Sequence, residues 1–327
     1  MKMIKFPLFV AILGFNTNTY AVEPTMFENT KTYCFGRYLV DVPVAAELKN
    51  YGNSYIATKI DILKANSVKF EEMAAEAESK LKGKTQKEDA KLVEVKYPNS
   101  KENRIIVSVL TAFGSDIYGI DTFKYAGNGY VFKTSGETFS SKLIEKTKIK
   151  YDTYLNKVRY RNEKEIPSEP GFCFENGFVA NDGKTSQAEE ANLYLVLKNN
   201  PYVKIRISSD VYFKQHKPLL ERTDETGIRI KFASKIKTFK RGNREVNTLK
   251  GEEILDRFPS DDEAGVAHSF VWETLGEVGN PLKASIHLEV NTGEGGGGQL
   301  FPSTLTDQEV MALYETIVKS IRIRPTQ

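Results

Sequence analysis

Residues able to do chemistry are few and scattered in this chain. Its three histidines, His216, His268 and His287, lie far apart, with no HExxH-like pair and no metal-ligand spacing. His268 and His287 fall inside alternating, strand-like segments, where a structural histidine is the ordinary reading. There is no Gly-x-Ser-x-Gly elbow, no Walker loop and no strand-coupled Gly-x-Gly-x-x-Gly. The residues therefore assign no catalytic group, no cofactor and no metal site.

Three other clusters invite a closer look. Gly293-Glu294-Gly295-Gly296-Gly297-Gly298 is a glycine run whose amides are able to cradle an anion, but no Lys-Ser or Lys-Thr follows it and it does not open a helix. It reads as a mobile loop inserted into one part of the chain. Contact with a partner suits it better than catalysis, which makes Glu294, Gly295, Gly296, Gly297, Gly298 and Gln299 the candidate partner-contact loop. Asp256, Asp261, Asp262 and Glu263 lack the alternating ligands and turn glycine of an EF-hand, and read as a solvated loop. Lys231, Lys235, Lys237, Lys240 and Arg241 alternate with Ile230, Phe232, Ile236 and Phe239. That pattern predicts the wet face of a strand over residues 228–239, not a phosphate track.

The two cysteines, Cys34 and Cys173, are read together with the first residues. Lys2 and Lys5 precede an apolar run from Phe6 to Phe15, and Thr19-Tyr20-Ala21 follows. This is the order of a cleaved secretory leader over residues 1–21, cut after Ala21, and the run is too short to span a bilayer. The expected compartment is the bacterial periplasm. In an oxidising compartment two thiols are candidates for a disulfide. Two readings fit: a bridge, or two separately buried thiols packed as small apolar groups.

The elements that position these residues occur twice. Tyr33-Cys34-Phe35-Gly36-Arg37-Tyr38-Leu39-Val40 is echoed by Phe172-Cys173-Phe174-Glu175-Asn176-Gly177-Phe178-Val179. Each half then closes alike, through Val158-Arg159-Tyr160-Arg161 and Ile321-Arg322-Ile323-Arg324. The repeat predicts two related domains side by side. Within the first half, residues 54–63 alternate as one strand, Ser67 offers an N-cap, and a strand at 130–134 ends in a Ser135-Gly136-Glu137 turn before a helix. In the second, Gly242-Asn243 begins a turn and Thr306 caps a final helix. The charged, proline-bearing segment 162–169 reads as a linker with almost nothing to bury. The fold class is α+β: two similar domains, 22–161 and 170–327, each an antiparallel sheet packed against helices.

Bulk composition agrees. The chain has 327 residues, 40% hydrophobic and 27% charged, enough for two globular domains that each bury a core. A net charge of +3 argues against a nucleic-acid surface. Sixteen Tyr and 19 Phe suit strand-rich domains.

Cys34-Phe35-Gly36-Arg37-Tyr38-Leu39-Val40-Asp41-Val42-Pro43 resembles the opening of the two-domain immunity proteins that neutralise lipase effectors of the bacterial type VI secretion system. Pro170-Gly171-Phe172-Cys173-Phe174 is similar to the start of that family's C-terminal domain. Gly242-Asn243-Arg244-Glu245, Gly251-Glu252-Glu253, Phe270-Val271-Trp272-Glu273 and Ser320-Ile321-Arg322-Ile323-Arg324-Pro325 resemble its later landmarks. The resemblance covers nearly all of the chain after the leader. It implies a periplasmic protein, not an enzyme, that grips a cognate phospholipase toxin between two lobes and keeps its lid from opening. It assigns no contact residue. Two other classes remain: a periplasmic lipid- or peptide-binding envelope module, and an enzyme with an unfamiliar site. No nucleic-acid partner and no stable membrane insertion are expected once the leader is removed.

Overall fold

Each half folds through the same succession of elements in the computed structural model, which describes residues 27–85, 89–139, 141–185 and 187–327. The expected leader, 1–21, lies outside the described residues. The first half runs β1 (Thr30–Phe35), β2 (Tyr38–Pro43), β3 (Ala46–Tyr55), β4 (Thr58–Lys64), α1 (Ser67–Leu81), β5 (Lys91–Lys96), β6 (Asn103–Ala112), β7 (Ser115–Gly127), β8 (Tyr130–Thr138), α2 (Ser141–Lys157) and β9 (Val158–Tyr160). The second runs β10 (Gly171–Phe174), β11 (Gly177–Ala180), β12 (Glu190–Leu197), β13 (Asn200–Asp210), α3 (Leu219–Glu225), α4 (Ile228–Lys231), β14 (Lys237–Val246), β15 (Leu249–Pro259), β16 (Val266–Thr274), β17 (Ser285–Thr292), α5 (Asp307–Ser320) and β18 (Arg322–Ile323). The fold is α+β and two-domain, with antiparallel sheets and helices in each half.

The halves join edge to edge. Twelve strands form one antiparallel sheet in the order β14-β15-β16-β17-β13-β12-β3-β4-β8-β7-β6-β5, six from each half. β3 and β12 hold the same place in their halves and pair at the centre, Tyr51 opposite Leu193. Antiparallel pairing of equivalent strands puts a pseudo-twofold axis between them, normal to the sheet.

The two hairpins then exchange partners. β9, which ends the first half, pairs with β11 of the second, Arg159 opposite Phe178. β18, which ends the second half, pairs with β2 of the first, Arg322 opposite Leu39. The amide of Arg161 donates to the carbonyl of Asn176, and that of Arg324 to the carbonyl of Arg37, each at 3.0 Å. These are the same bond made twice, once in each direction. Each hairpin needs the exchange because it is apolar on both faces. Phe35 and Val40 of the first hairpin and Phe172 and Val179 of the second line one face, Leu39 and Phe178 the other, all at most 3% exposed, and two strands alone could not cover them. Burying each such side chain contributes about 1.5–3 kcal/mol.

The expectation of a separate core in each half is corrected. The largest core runs through both, from Phe35, Ile105 and Phe132 to Leu193, Phe270 and Tyr314. The linker also buries more than its composition promised: Pro167 is buried, and its carbonyl accepts from the Arg324 guanidinium.

Local details differ from the sequence patterns in five places. Residues 54–63 are a hairpin, not one strand. Ile56 and Ala57 turn with φ of 59° and 57°, and their amides donate to the carbonyls of Gln187 and Ala188 at 2.6 and 3.3 Å. Backbone bonds from the other half thus hold a turn that side-chain type disfavours. Asn66, not Ser67, caps α1, its side chain accepting from the Lys69 amide at 2.9 Å. Ser135–Glu137 continue β8 against β7, and Gly242-Asn243 lie within β14. Residues 228–239 split between α4, a turn and the start of β14, and Gly227, with φ 64°, separates α4 from α3.

Candidate functional site

The two faces of the sheet are covered unequally. Along β6, Ile105 faces the main core and its neighbour Ile106 a second, smaller one. The main-core face carries α2 and α5, through Ile144, Tyr151, Tyr154 and Leu155, and through Val310, Leu313, Tyr314 and Ile317. On the opposite face α1 packs through Phe70 and Ala74 against Ile106, Phe123 and Val131, at the first half's outer strands. At the second half's outer strands α3 lies on that same face, Arg222 donating to both oxygens of Glu273 at 2.7 Å. Between α1 and α3–α4 the central strands stay uncovered among the described residues. Their alternation is clean: Leu193, Ile205 and Leu288 are buried, while Tyr194, Arg206 and Glu289 face outward. This open face, floored by both halves and walled by one helical segment from each, is the candidate binding surface.

Its polar groups are tied to one another. Arg206 donates to Glu289 at 3.0 Å and to the two oxygens of Glu294 at 3.0 and 2.6 Å, and Lys204 reaches Glu294 at 3.2 Å. The Arg206 guanidinium also lies over the Tyr194 ring, 5.6 Å from its centroid. His287 Nδ1 stands 3.0 Å from Glu273. Burial raises the Glu273 carboxyl, but hydrogen bonds from His287 and Arg222 overcome it and hold it at about 2. Burial likewise raises Glu294, and Arg206, Asn291 and Lys204 pull it down to about 2. Pairs this open contribute at most about 1 kcal/mol each, so their role here is to fix geometry.

The candidate contact loop stands at one corner of this face. Glu294 anchors it through Arg206. Gly295 is buried against the Phe301 ring, which an added Cβ would meet at 2.3 Å, so only glycine fits there. Gly296, Gly297, Gly298 and Gln299 are exposed, and Gly297 and Gly298 turn with φ of 66° and 83°. The loop closes with Gly295 N donating to the Gln299 carbonyl at 2.8 Å. Next to it, between α3–α4 and β15–β16, is a groove of about 780 Å³ lined by Phe232, Ile236, Phe258, Pro259 and Leu300, with Lys235 and Glu263 beside them.

The remaining candidates are structural in place. Cys34 of β1 and Cys173 of β10 are joined as a disulfide with Cα atoms 5.8 Å apart, which links the two exchanged hairpins directly. Asp261 accepts from the Leu300 amide at 2.9 Å, Asp262 from the Ala264 amide at 3.0 Å, and Glu263 pairs with Lys235 at 2.7 Å. Among the described residues no group of three His, Cys, Asp or Glu side chains is placed to hold a metal. One chain of groups has the form of a hydroxyl–imidazole–carboxylate relay: Thr292 Oγ1 to His268 Nδ1 at 2.7 Å, and His268 Nε2 to Asp307 at 3.0 Å. Thr292 and His268 are each 1% exposed, so no substrate reaches the hydroxyl. The relay ties β16 and β17 to the first turn of α5. Sequence spacing missed the open face because its residues come from many strands, each reading only as a polar alternation.

Comparison with known proteins adds the family. The model of the Tle cognate immunity protein 4 N-terminal domain matches residues 31–166, and that of the C-terminal domain matches residues 165–326. No curated protein matches the chain. Among solved structures, the apo immunity protein TplEi of the type VI secretion system of Pseudomonas aeruginosa superposes with TM-score 0.80 and 25% identity, covering 91% of this chain and 98% of that one. A chain of the Tle4–Tli4 complex superposes with TM-score 0.80 and 24% identity, over 91% and 99%. TplEi complexed with "L" peptide gives 0.76 and 24%, over 91% and 99%. The latter two share the fold. With its two domain models matched in order along almost the whole described chain, this protein belongs to the Tle cognate immunity protein 4 family.

Proposed function

We propose that this protein is an immunity protein that binds a cognate type VI lipase effector and blocks it, seating the effector on the open face between α1 and α3–α4. One observation carries the placement. The face is floored by strands of both halves and walled by a helical segment from each, so a convex partner meets both lobes at once. The Tle4–Tli4 complex, an assembly of this same fold, supports a protein partner. The polar floor supports it too, since a lipid carrier needs an enclosed apolar cleft.

In this reading the chain works in the periplasm after cleavage behind Ala21, and divides into 22–161, the connector 162–169, and 170–327. It performs no catalysis. The exposed tip from Gly296 to Gln299 and the neighbouring apolar groove contact the effector, with Phe232 and Leu300 taking an apolar anchor. A lipase exposes an apolar site to attack a membrane, and a partner that binds only the closed state shifts that equilibrium by its differential affinity. Self-protection needs about nanomolar binding, or roughly 12 kcal/mol, and an interface of about 1,600 Å².

The test is expression of a periplasm-directed lipase from the same locus, with and without this protein. Protection of the cells, and loss of lipase activity on mixing the purified proteins in equal amounts, are the expected results. Equal killing in both cases would sink the reading.

A further inference from the structure

The outer end of the first lobe carries a surface that the open face does not use. α2 holds five lysines, Lys142, Lys146, Lys148, Lys150 and Lys157, against two acids, Glu145 and Asp152. Lys148 is engaged by Glu94 and Glu145, at 2.7 and 2.5 Å. Lys142, Lys146 and Lys150 recur every fourth residue, so they share one side of the helix. All three are exposed, and none makes an ion pair among the described residues. Leu143 and Ile149 stand out to solvent beside them, 49% and 64% exposed. Phe139, 71% exposed, lies two residues before the helix begins.

The β6–β7 hairpin adds a fourth apolar residue at this end. β6 and β8 both pair antiparallel with β7 and so run parallel, which puts the tip after Ala112 and the end of β8 on one side of the lobe. Phe113 forms that tip together with Gly114, at φ of 52° and 76°, and its side chain is fully exposed. Lys91 begins the edge strand opposite Val109, near the same end, and is exposed.

Single aromatic and aliphatic side chains projecting among unpaired lysines match a bilayer surface better than a protein. Lysine is depleted in protein interfaces, where three ammonium groups would lose water without a carboxylate in exchange. At a membrane the ammonium groups stay with the headgroups while the rings pass below them. We infer that the lobe end formed by α2, Phe139 and Phe113 adsorbs to anionic phospholipid bilayers. No helix among the described residues is long and apolar enough to cross a membrane, so this is reversible adsorption. It goes beyond the proposed function: it stations the inhibitor on the substrate of the enzyme it opposes, while the open face does the inhibiting.

Co-sedimentation of the mature protein with vesicles of phosphatidylethanolamine and phosphatidylglycerol, against phosphatidylcholine vesicles, tests it. Binding to the anionic vesicles that falls as salt rises is expected. The exposed triple variant Lys142→Glu, Lys146→Glu, Lys150→Glu should lose at least about fivefold per lysine, the factor equivalent to about 1 kcal/mol each. Phe113→Asn with Phe139→Ser keeps the turn and removes the rings, and should also weaken binding. Absence of binding, equal binding to both vesicles, or an unaffected triple variant overturns the inference. Each variant is also assayed for inhibition of the lipase on a dissolved short-chain ester, where full inhibition is expected. Loss of that inhibition would make the surface an effector contact instead, overturning adsorption and leaving the proposed function standing.

Discussion

Arg37 and Glu189 form a two-pronged ion pair across the two halves, Nε to Oε2 at 2.8 Å and Nη2 to Oε1 at 2.6 Å. Their side chains are 6% and 3% exposed. Burial pushes the Glu189 carboxyl up and the hydrogen bond from Arg37 only partly offsets it. The carbonyl of Arg37 also receives the Arg324 amide, so this residue stands where the first hairpin, the C-terminal tail and the second half meet. Arg37→Ala should cost about 3–5 kcal/mol in guanidinium unfolding, because it strands a buried carboxylate. Arg37→Met with Glu189→Leu should recover most of that loss. A single variant no less stable than the parent would refute the assignment.

The disulfide closes a loop of 139 residues. Reduction, or Cys34→Ser, should lower stability by about 4–5 kcal/mol in the chain-entropy account. The denaturation midpoint with and without reductant measures it. An unchanged midpoint would mean that the exchanged hairpins alone hold the halves together.

Acid should loosen the carboxylate ties of the open face, at Glu273 and Glu294, together with the tie that Glu315 makes from α5 to Arg244 of β14. Glu273, Glu294 and Glu315 are each held at about 2. A carboxyl whose folded pKa is depressed adds stability above its unfolded value, and loses it as pH falls toward the folded one. Stability should therefore decline between about 4.5 and about 2. Arg222→Ala frees Glu273 and should flatten part of that decline. Acid titration of unfolding free energy for both proteins is the measurement.

The turn at Ile56-Ala57 predicts a gain. Ala57 is exposed with φ 57°, a conformation that costs a residue with a Cβ about 1 kcal/mol. Ala57→Gly should stabilise by roughly 0.5 kcal/mol once the added freedom of the unfolded chain is subtracted. A shift of the melting temperature downward would contradict this reading of the turn.

Tyr194 sits near the middle of the open face on β12, its ring under Arg206. If the effector docks there, Tyr194→Ala should weaken binding by about 2 kcal/mol, some thirtyfold in Kd. Its effect on thermal stability should stay small, since the side chain is only partly buried. Calorimetric titration with the lipase decides between this face and another.

Residue types alone fixed the repeat, and much follows from that. The paired Cys-containing hairpins, the matching Arg-x-Arg endings and the Thr306 cap, whose capping box with Glu309 is complete, are local signals carried by residue type. The family landmarks are likewise contiguous motifs. How the repeats combine emerges only in the folded molecule. No local pattern says that β3 pairs with β12, that β9 and β18 cross to the opposite hairpins, or that Ile56 and Ala57 turn. Apart from the β9–β11 pairing, which spans the connector, those outcomes depend on backbone bonds between residues more than a hundred positions apart, such as Ile56 to Gln187 and Arg324 to Arg37. The open face was hidden for the same reason. Each strand shows only that its polar side meets water, and which polar sides align into one surface is fixed by strand order, which sequence periodicity does not encode.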